Sequence, residues 1–316
     1  MTILFSANIS SRHRKTITAR FPRETFIFCQ NMHEAQTYLT EAEIFVTYGT
    51  DLSQELVGRA KQLKWIMVIS AGLEKLPLNA IRQKDILVTN ARGIHVTPMA
   101  EYVISMLLQV YRQEKVLIRN EKAREWDQSV RIDEITGKTM AIIGTGAIGQ
   151  GVARLAKAFR MMTLGVSRSG QAVKYFDHNY TTADLKTVLS QADFVISVLP
   201  STPETKYLLT YDHFQHMPNH AIFLNMGRGD VVRESDILQA IRKDEISHAI
   251  LDVFEEEPLP PNHPFWDEEK ITLTPHLSGV SMHYTTRALA IFAENLRKFR
   301  DGRTDFVNKI DVIRGY

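Results

Sequence analysis

Three segments in the second half of this 316-residue chain carry side chains suited to proton transfer at a carbonyl, each directly after a short apolar run. Asn225-Met-Gly-Arg-Gly-Asp230 sets Arg228 between two glycines, which leave room around a guanidinium. Such a cation grips a carboxylate through two hydrogen bonds and polarises a neighbouring carbonyl. Leu251-Asp-Val-Phe-Glu-Glu-Glu-Pro258 offers Asp252 at a strand end and three consecutive glutamates, and Leu273-Thr-Pro-His276 ends on a histidine. An imidazole beside a carboxylate is a suitable general acid, because the anion orients the ring and favours its protonated form. Any of Glu255, Glu256 and Glu257 fits that part. Together the three segments supply what hydride reduction of a ketone needs: a cation for the substrate and a proton donor.

The hydride source is indicated upstream. Gly144-Thr145-Gly146-Ala147-Ile148-Gly149 matches GxGxxG between an apolar strand and a helical pattern running from Gln150 to Arg160. In that setting the first glycine permits the turn, the second admits a pyrophosphate to the backbone, and the third lets helix and strand pack closely. The helix N-terminus then faces the anion. About 20 residues further on, an NAD site carries Asp or Glu for the ribose 2′-hydroxyl. Here the strand ends in Ser167-Arg168-Ser169-Gly170, with no carboxylate before Asp177. A guanidinium and two hydroxyls suit a 2′-phosphate, so NADP(H) is expected over NAD(H).

Short β-branched runs alternating with helix-length segments give the pattern of parallel sheets covered by helices. One block contains Met1–Ser6, Ile44–Tyr48, Trp65–Ile69 and Ile86–Val88, with a helix expected over Ser53–Lys61. The second contains Thr139–Ile143, Met162–Val166, Phe194–Val198, Ala221–Asn225, His248–Val253 and Ile271–Thr274, six parallel strands of a doubly wound sheet. Between the blocks Met99–Asn120 reads as one long helix near Pro98, with Met106, Leu107, Val110 and Leu117 as its candidate contacts. Ser281–Arg300 reads as an amphipathic helix returning to the first block. With 38 basic and 36 acidic residues the chain has no basic stripe for nucleic acid. Neither a signal peptide nor a long apolar run suggests a membrane, so a cytoplasmic location is expected. Cys29, the single cysteine, sits by Phe26 and Phe28 as a core filler, and no spacing of Cys or His suggests a metal site.

These residues resemble the D-isomer-specific 2-hydroxyacid dehydrogenase family, and within it the short glyoxylate/hydroxypyruvate reductases. Besides the segments above, Ser70-Ala71-Gly72-Leu73 resembles the family's substrate-carboxylate loop. Asn90, Gly93 and Ala100-Glu101 resemble its entry to the cofactor domain. Leu199-Pro200 with Thr202, Pro203, Glu204 and Thr205 resembles the turn beside the nicotinamide. The resemblance implies that Arg228 binds and polarises the oxoacid, that Glu257 is the glutamate paired with His276, and that His276 is the proton donor in reduction. It also implies that the Ala71 and Gly72 amides bind the substrate carboxylate. Asp252 and the turn of Leu199, Pro200 and Thr205 would lie near the nicotinamide, and Met226, His276 and Gly279 near the cofactor. The implied fold has two Rossmann-like domains, the NADP-binding one (98–284) inserted into a discontinuous substrate domain (1–97 and 285–316). A homodimer paired through about Met99–Ile132 is implied as well. Met226-Gly227 and the stretch His95–Met99 depart from the family pattern at pocket positions. The rival readings are a slow dinucleotide-sensing protein of the same fold and an NAD-dependent D-lactate-type dehydrogenase, which Arg168 disfavours.

Overall fold

The computed structural model describes residues 1–70, 72–73 and 75–312. The chain divides into two compact units, one of Met1–Ile94 with Ser281–Tyr316 and the other of His95–Val280. The division falls a few residues ahead of 97 and 284. The reason is local: Val96 already opens a helix, and its side chain packs inside the second unit.

The first unit holds β1 (Thr2–Phe5), β2 (Thr25–Phe28), β3 (Ile44–Thr47), β4 (Trp65–Val68) and β5 (Leu87–Asn90), in the order β2-β1-β3-β4-β5. All ladders are parallel. Both faces of β3 and β4 are buried, so they read as unbroken apolar runs rather than alternating ones. The returning helix is Tyr284–Arg300, and it docks by its apolar face: Phe292 stacks on Trp65 at 5.3 Å and meets Phe5 edge-on at 5.7 Å. Burying one such aromatic is worth roughly 2–3 kcal/mol. Cys29 is fully buried, and burial pushes its thiol up from its ordinary range.

The second unit has seven strands: β6 (Thr139–Ile143), β7 (Met162–Ser167), β8 (His178–Thr181), β9 (Phe194–Ser197), β10 (Ile222–Asn225), β11 (His248–Leu251) and β12 (Ile271–Leu273). Their order is β12-β11-β10-β9-β6-β7-β8, parallel throughout. The chain reverses its winding at β6, which lies between β7 and β9, and ligands of such sheets bind at that switch point.

Two strands exceed the sequence expectation. β2 and β8 are both four-residue edge strands, and β8, His-Asn-Tyr-Thr, has no apolar alternation to betray it. The expected single helix over Met99–Asn120 is two helices, Val96–Tyr111 and Glu114–Ala123, with Pro98 inside the first turn. Gln113, at φ +54°, breaks the helical path between them. Met106 and Leu107 are buried, whereas Leu117 lies beyond the break and is 43% exposed.

Candidate functional site

The glycine loop joins β6 to the helix Ala147–Ala158. Gly144 has φ +111°, a conformation that residues with a Cβ rarely adopt, and a Cβ at Gly149 would lie 2.0 Å from the Gly144 carbonyl oxygen. Gly146 differs: a Cβ there would meet nothing within 4 Å. Structure therefore demands the first and third glycines, while the second keeps clear a space that the fold does not fill. Gly146 is also the N-cap of the helix and offers no side-chain acceptor, so the amides following it, from Ala147, Ile148 and Gly149, face that space without a cap. Thr145 and Gln150 close the loop, the Gln150 amide donating to the Thr145 carbonyl at 3.2 Å. A pyrophosphate fits these residues.

β7 ends at Ser167, and the Gly170 amide donates to its Oγ at 3.2 Å, which folds Ser167–Gly170 into a turn. Arg168 and Ser169 project from that turn exposed to solvent. Arg168 also acts on Glu204: a hydrogen bond from Thr202 first, with the guanidinium's charge contributing, holds the Glu204 carboxyl below its ordinary range. After β9, Leu199 and Pro200 lead into a turn closed by Thr205, whose Oγ1 donates to the Pro200 carbonyl at 2.6 Å and accepts the Thr202 amide at 2.9 Å.

The three reactive segments leave adjacent strands of the same sheet: Arg228 follows β10, Asp252 follows β11, and His276 follows β12. At a strand spacing near 4.8 Å, the first and last of these ends stand about 10 Å apart, close enough for the two side chains to meet a small ligand from opposite sides. Arg228 is exposed, and its Nη1 donates to the Gly227 carbonyl at 2.8 Å. Asn225 closes the loop beneath it, donating to the Arg228 carbonyl at 3.0 Å and accepting the Gly227 amide at 3.2 Å. The flanking glycines do not serve to clear space for the guanidinium, as expected from sequence. A Cβ at Gly227 would lie 2.4 Å from the Leu199 carbonyl oxygen, and one at Gly229 2.0 Å from Phe254 backbone, so the glycines permit neighbouring strand-end loops to touch.

Glu257 is the glutamate that reaches the histidine. Its Oε2 accepts from His276 Nδ1 at 2.7 Å, and its Oε1 accepts the Phe254 amide at 3.0 Å. With Nδ1 so engaged, Nε2 is the ring nitrogen left for a substrate. Glu255 has other work: its carboxylate accepts from the Tyr207 hydroxyl at 3.0 Å and from the Glu234 amide at 2.9 Å, and its own amide donates to the Glu234 carboxylate at 3.0 Å. Asp252 is fully buried and acts on the turn that carries His276. Its Oδ1 accepts from the Thr274 hydroxyl at 2.5 Å and the Leu277 amide at 2.8 Å, its Oδ2 accepts the Ser278 amide at 2.9 Å, and its carbonyl accepts the His276 amide at 2.9 Å. Those bonds hold a strained residue, since His276 has φ +54°.

The other expected residues have their own surroundings. The Met226 side chain is 2% exposed and belongs to the core below. Gly279 packs on His95, whose Nδ1 lies 3.1 Å from the Gly279 carbonyl oxygen. Gly72 belongs to the first unit, where its carbonyl accepts from the Ser70 hydroxyl at 3.2 Å; Ala71 lies outside the described residues. Sequence reasoning missed Tyr102, because it sits in a helical stretch whose pattern says only which face is buried. Among the described residues no cluster of His, Cys, Asp and Glu is arranged to hold a metal ion, and no helix is long and apolar enough to cross a membrane. A cavity of about 540 Å³ adjoins the pair, lined by His276, Glu257, Phe254, Leu259, Trp266 and Leu273. A larger one of about 600 Å³ opens beside His248 and Lys115, at the opposite ends of β11 and β12, away from the reactive edge.

A family model described as "D-isomer specific 2-hydroxyacid dehydrogenase, NAD binding domain" matches residues 104–278. The glyoxylate reductase of Aeropyrum pernix is 30% identical over 288 residues, 87% of this chain and 85% of that protein. A crystal structure of a D-isomer specific 2-hydroxyacid dehydrogenase family protein from Aeromonas salmonicida has a TM-score of 0.85 at 36% identity, covering 98% of this chain and 99% of the other. The NADPH-dependent glyoxylate/hydroxypyruvate reductase of Sinorhizobium meliloti, solved with NADP and sulfate, has a TM-score of 0.78 at 26% identity, covering 100% of this chain and 99% of that one.

Proposed function

The chain belongs to the D-isomer specific 2-hydroxyacid dehydrogenase family and is a nicotinamide-dependent oxidoreductase of 2-oxoacids, and from that premise we propose that it reduces glyoxylate- or hydroxypyruvate-class substrates to D-2-hydroxyacids with NADPH. The observation that carries the reading is the 2.7 Å bond from His276 Nδ1 to Glu257, two strands from Arg228 on one sheet edge. When bound, the dinucleotide supplies the hydride that attacks C2. Arg228 holds the carboxylate and draws electron density from the C2 carbonyl. His276 delivers the proton from Nε2 to the carbonyl oxygen, and Glu257 keeps the ring aimed throughout.

The amides of residues 147–149 hold the pyrophosphate, and Ser167, Arg168 and Ser169 hold the 2′-phosphate. This preference is supported by the absence of a carboxylate at the end of β7 and by the NADP bound in the Sinorhizobium relative. The Ala71 and Gly72 amides are assigned to the substrate carboxylate by resemblance alone. Pairing with a second copy through the region Met99–Ile132 is supported by the exposure of Leu117, Ile118 and Trp126 there. The test is initial-rate oxidation of NADPH and NADH in parallel, each with glyoxylate and with hydroxypyruvate. Turnover that is fast with NADPH and slow with NADH is expected. A preference for NADH removes Arg168 as selector, and no turnover with either removes the substrate class.

A further inference from the structure

The turn that carries His276 is held from a second side. Tyr102 lies on the helix Val96–Tyr111, and its hydroxyl oxygen is 2.7 Å from Thr274 Oγ1. The direction of that bond follows from proton counting. Thr274 has one hydroxyl hydrogen and donates it to Asp252 Oδ1, so the Tyr102 hydroxyl donates to Thr274. The result is a directed chain, Tyr102 to Thr274 to Asp252, ending on a fully buried carboxylate that no described cation pairs with and that receives its other bonds from the Leu277 and Ser278 amides. Burial, with the negative charge of Asp252 adding to it, pushes the Tyr102 phenol well above its ordinary range, so it remains a donor at every working pH.

The other end of the chain is rigid. The helix bearing Tyr102 lies against the glycine-loop helix Ala147–Ala158 at Gly151, whose missing side chain lets Val96 and Ala100 pack directly on its backbone. A Cβ on Gly151 would lie 2.5 Å from a Val96 methyl and 3.6 Å from the Ala100 Cβ. Tyr102 therefore refers the histidine turn to the same helix pair that fixes the pyrophosphate loop.

We propose that Tyr102 is a positioning residue for proton delivery: through Thr274 it registers the His276 turn to the frame of the glycine loop, so that the proton donor and the dinucleotide share one reference. It rests on the reading of His276 as donor and adds a residue outside the strand-end segments. The distinguishing consequence is a selective one. Loss of the hydroxyl leaves the dinucleotide site and Arg228 untouched and loosens only the donor.

The test compares Tyr102→Phe with Ser105→Ala, a control on the exposed face of the same helix. In Tyr102→Phe, kcat is expected to fall roughly three- to tenfold, the scale of one lost neutral hydrogen bond, with KM for NADPH and oxoacid within about twofold of wild type. The solvent deuterium isotope effect on kcat rises, because proton delivery becomes slower relative to hydride transfer. Ser105→Ala changes none of these. The His276 ring signals in a ¹H–¹⁵N correlation spectrum shift in Tyr102→Phe and stay in place in the control. Unchanged kcat and ring signals overturn the proposal. So does a fall in kcat that tracks a lower melting temperature with no change in the isotope effect, which marks a purely structural role. If the wild type reduces no 2-oxoacid, the functional reading fails while the ring signals still decide whether Tyr102 positions His276.

Discussion

Replacing Asp252 by asparagine removes one charge and adds no volume, yet the structure gives it a large cost. The carboxylate accepts from three donors: the Thr274 hydroxyl and Leu277 amide on Oδ1, and the Ser278 amide on Oδ2. An asparagine can present its oxygen to the first two only by turning its NH2 group toward the Ser278 N–H. That forfeits one bond to a charged group, roughly 1.5–3 kcal/mol, and leaves facing donors buried without acceptors, about 1–3 kcal/mol more. Taking about 3 kcal/mol as the net, Asp252→Asn lowers the melting transition of the second unit by about 6–12 °C. Because the released turn carries His276, kcat falls as well, roughly ten- to a hundredfold. The dinucleotide Kd, set on β6 and β7, stays within about threefold. Calorimetric unfolding with steady-state kinetics and a dinucleotide titration reads all three quantities. A variant with wild-type melting and turnover refutes the role given to the buried carboxylate, and one that loses chiefly dinucleotide affinity places Asp252 on the cofactor instead.

The remaining expectations are shorter. Gly146→Ala folds with unchanged melting, because a Cβ there meets nothing, but weakens dinucleotide binding at least tenfold in a titration by filling the space before the helix N-terminus. Gly149→Ala loses both stability and binding, since its Cβ would lie 2.0 Å from the Gly144 carbonyl oxygen. Arg168→Ala raises KM for NADPH roughly ten- to a hundredfold and leaves that for NADH unchanged in parallel assays. Stability falls in acid because burial pushes His248 from 6.5 down to about 4 in the folded chain. The unfolded chain binds this proton first, so the stability present above about pH 6.5 is lost as the pH drops toward 4. The slope approaches about 1.4 kcal/mol per pH unit, and His248→Gln flattens it in urea titrations at several pH values.

How much of this was legible in the sequence depended on what each residue's neighbours are. The central strands announced themselves: β3, β4, β9 and β10 are buried on both faces, and only apolar runs satisfy that. β8 pairs on one side only and its polar composition carries little signal, whereas β2, an edge strand of the first sheet, has an apolar Phe-Ile-Phe run that the alternation of strands and helices alone did not single out. The break at Gln113 was hidden because the apolar spacing continues across it, and nothing local marks a residue at φ +54°. At the site, the strand-end positions of Arg228, Asp252 and His276 were readable because each comes within a few residues of the end of an apolar run. The choice of Glu257 was not readable from the residues alone, because three adjacent glutamates look alike until the chain's path aims one at His276 and sends Glu255 to Tyr207. The reason for Gly227 and Gly229 was likewise invisible, since it lies in the Leu199 and Phe254 backbones of neighbouring loops. Tyr102 reaches Thr274 from 172 residues away in sequence, and no spacing rule connects them.

The central claim, that His276 is the proton donor of a 2-oxoacid reduction, is tested most directly by the turnover of His276→Ala with NADPH and glyoxylate beside wild type, with dinucleotide affinity measured on both. The account predicts a loss in kcat of roughly a hundredfold or more with Kd for NADPH nearly unchanged. A near-normal rate in the variant would contradict it.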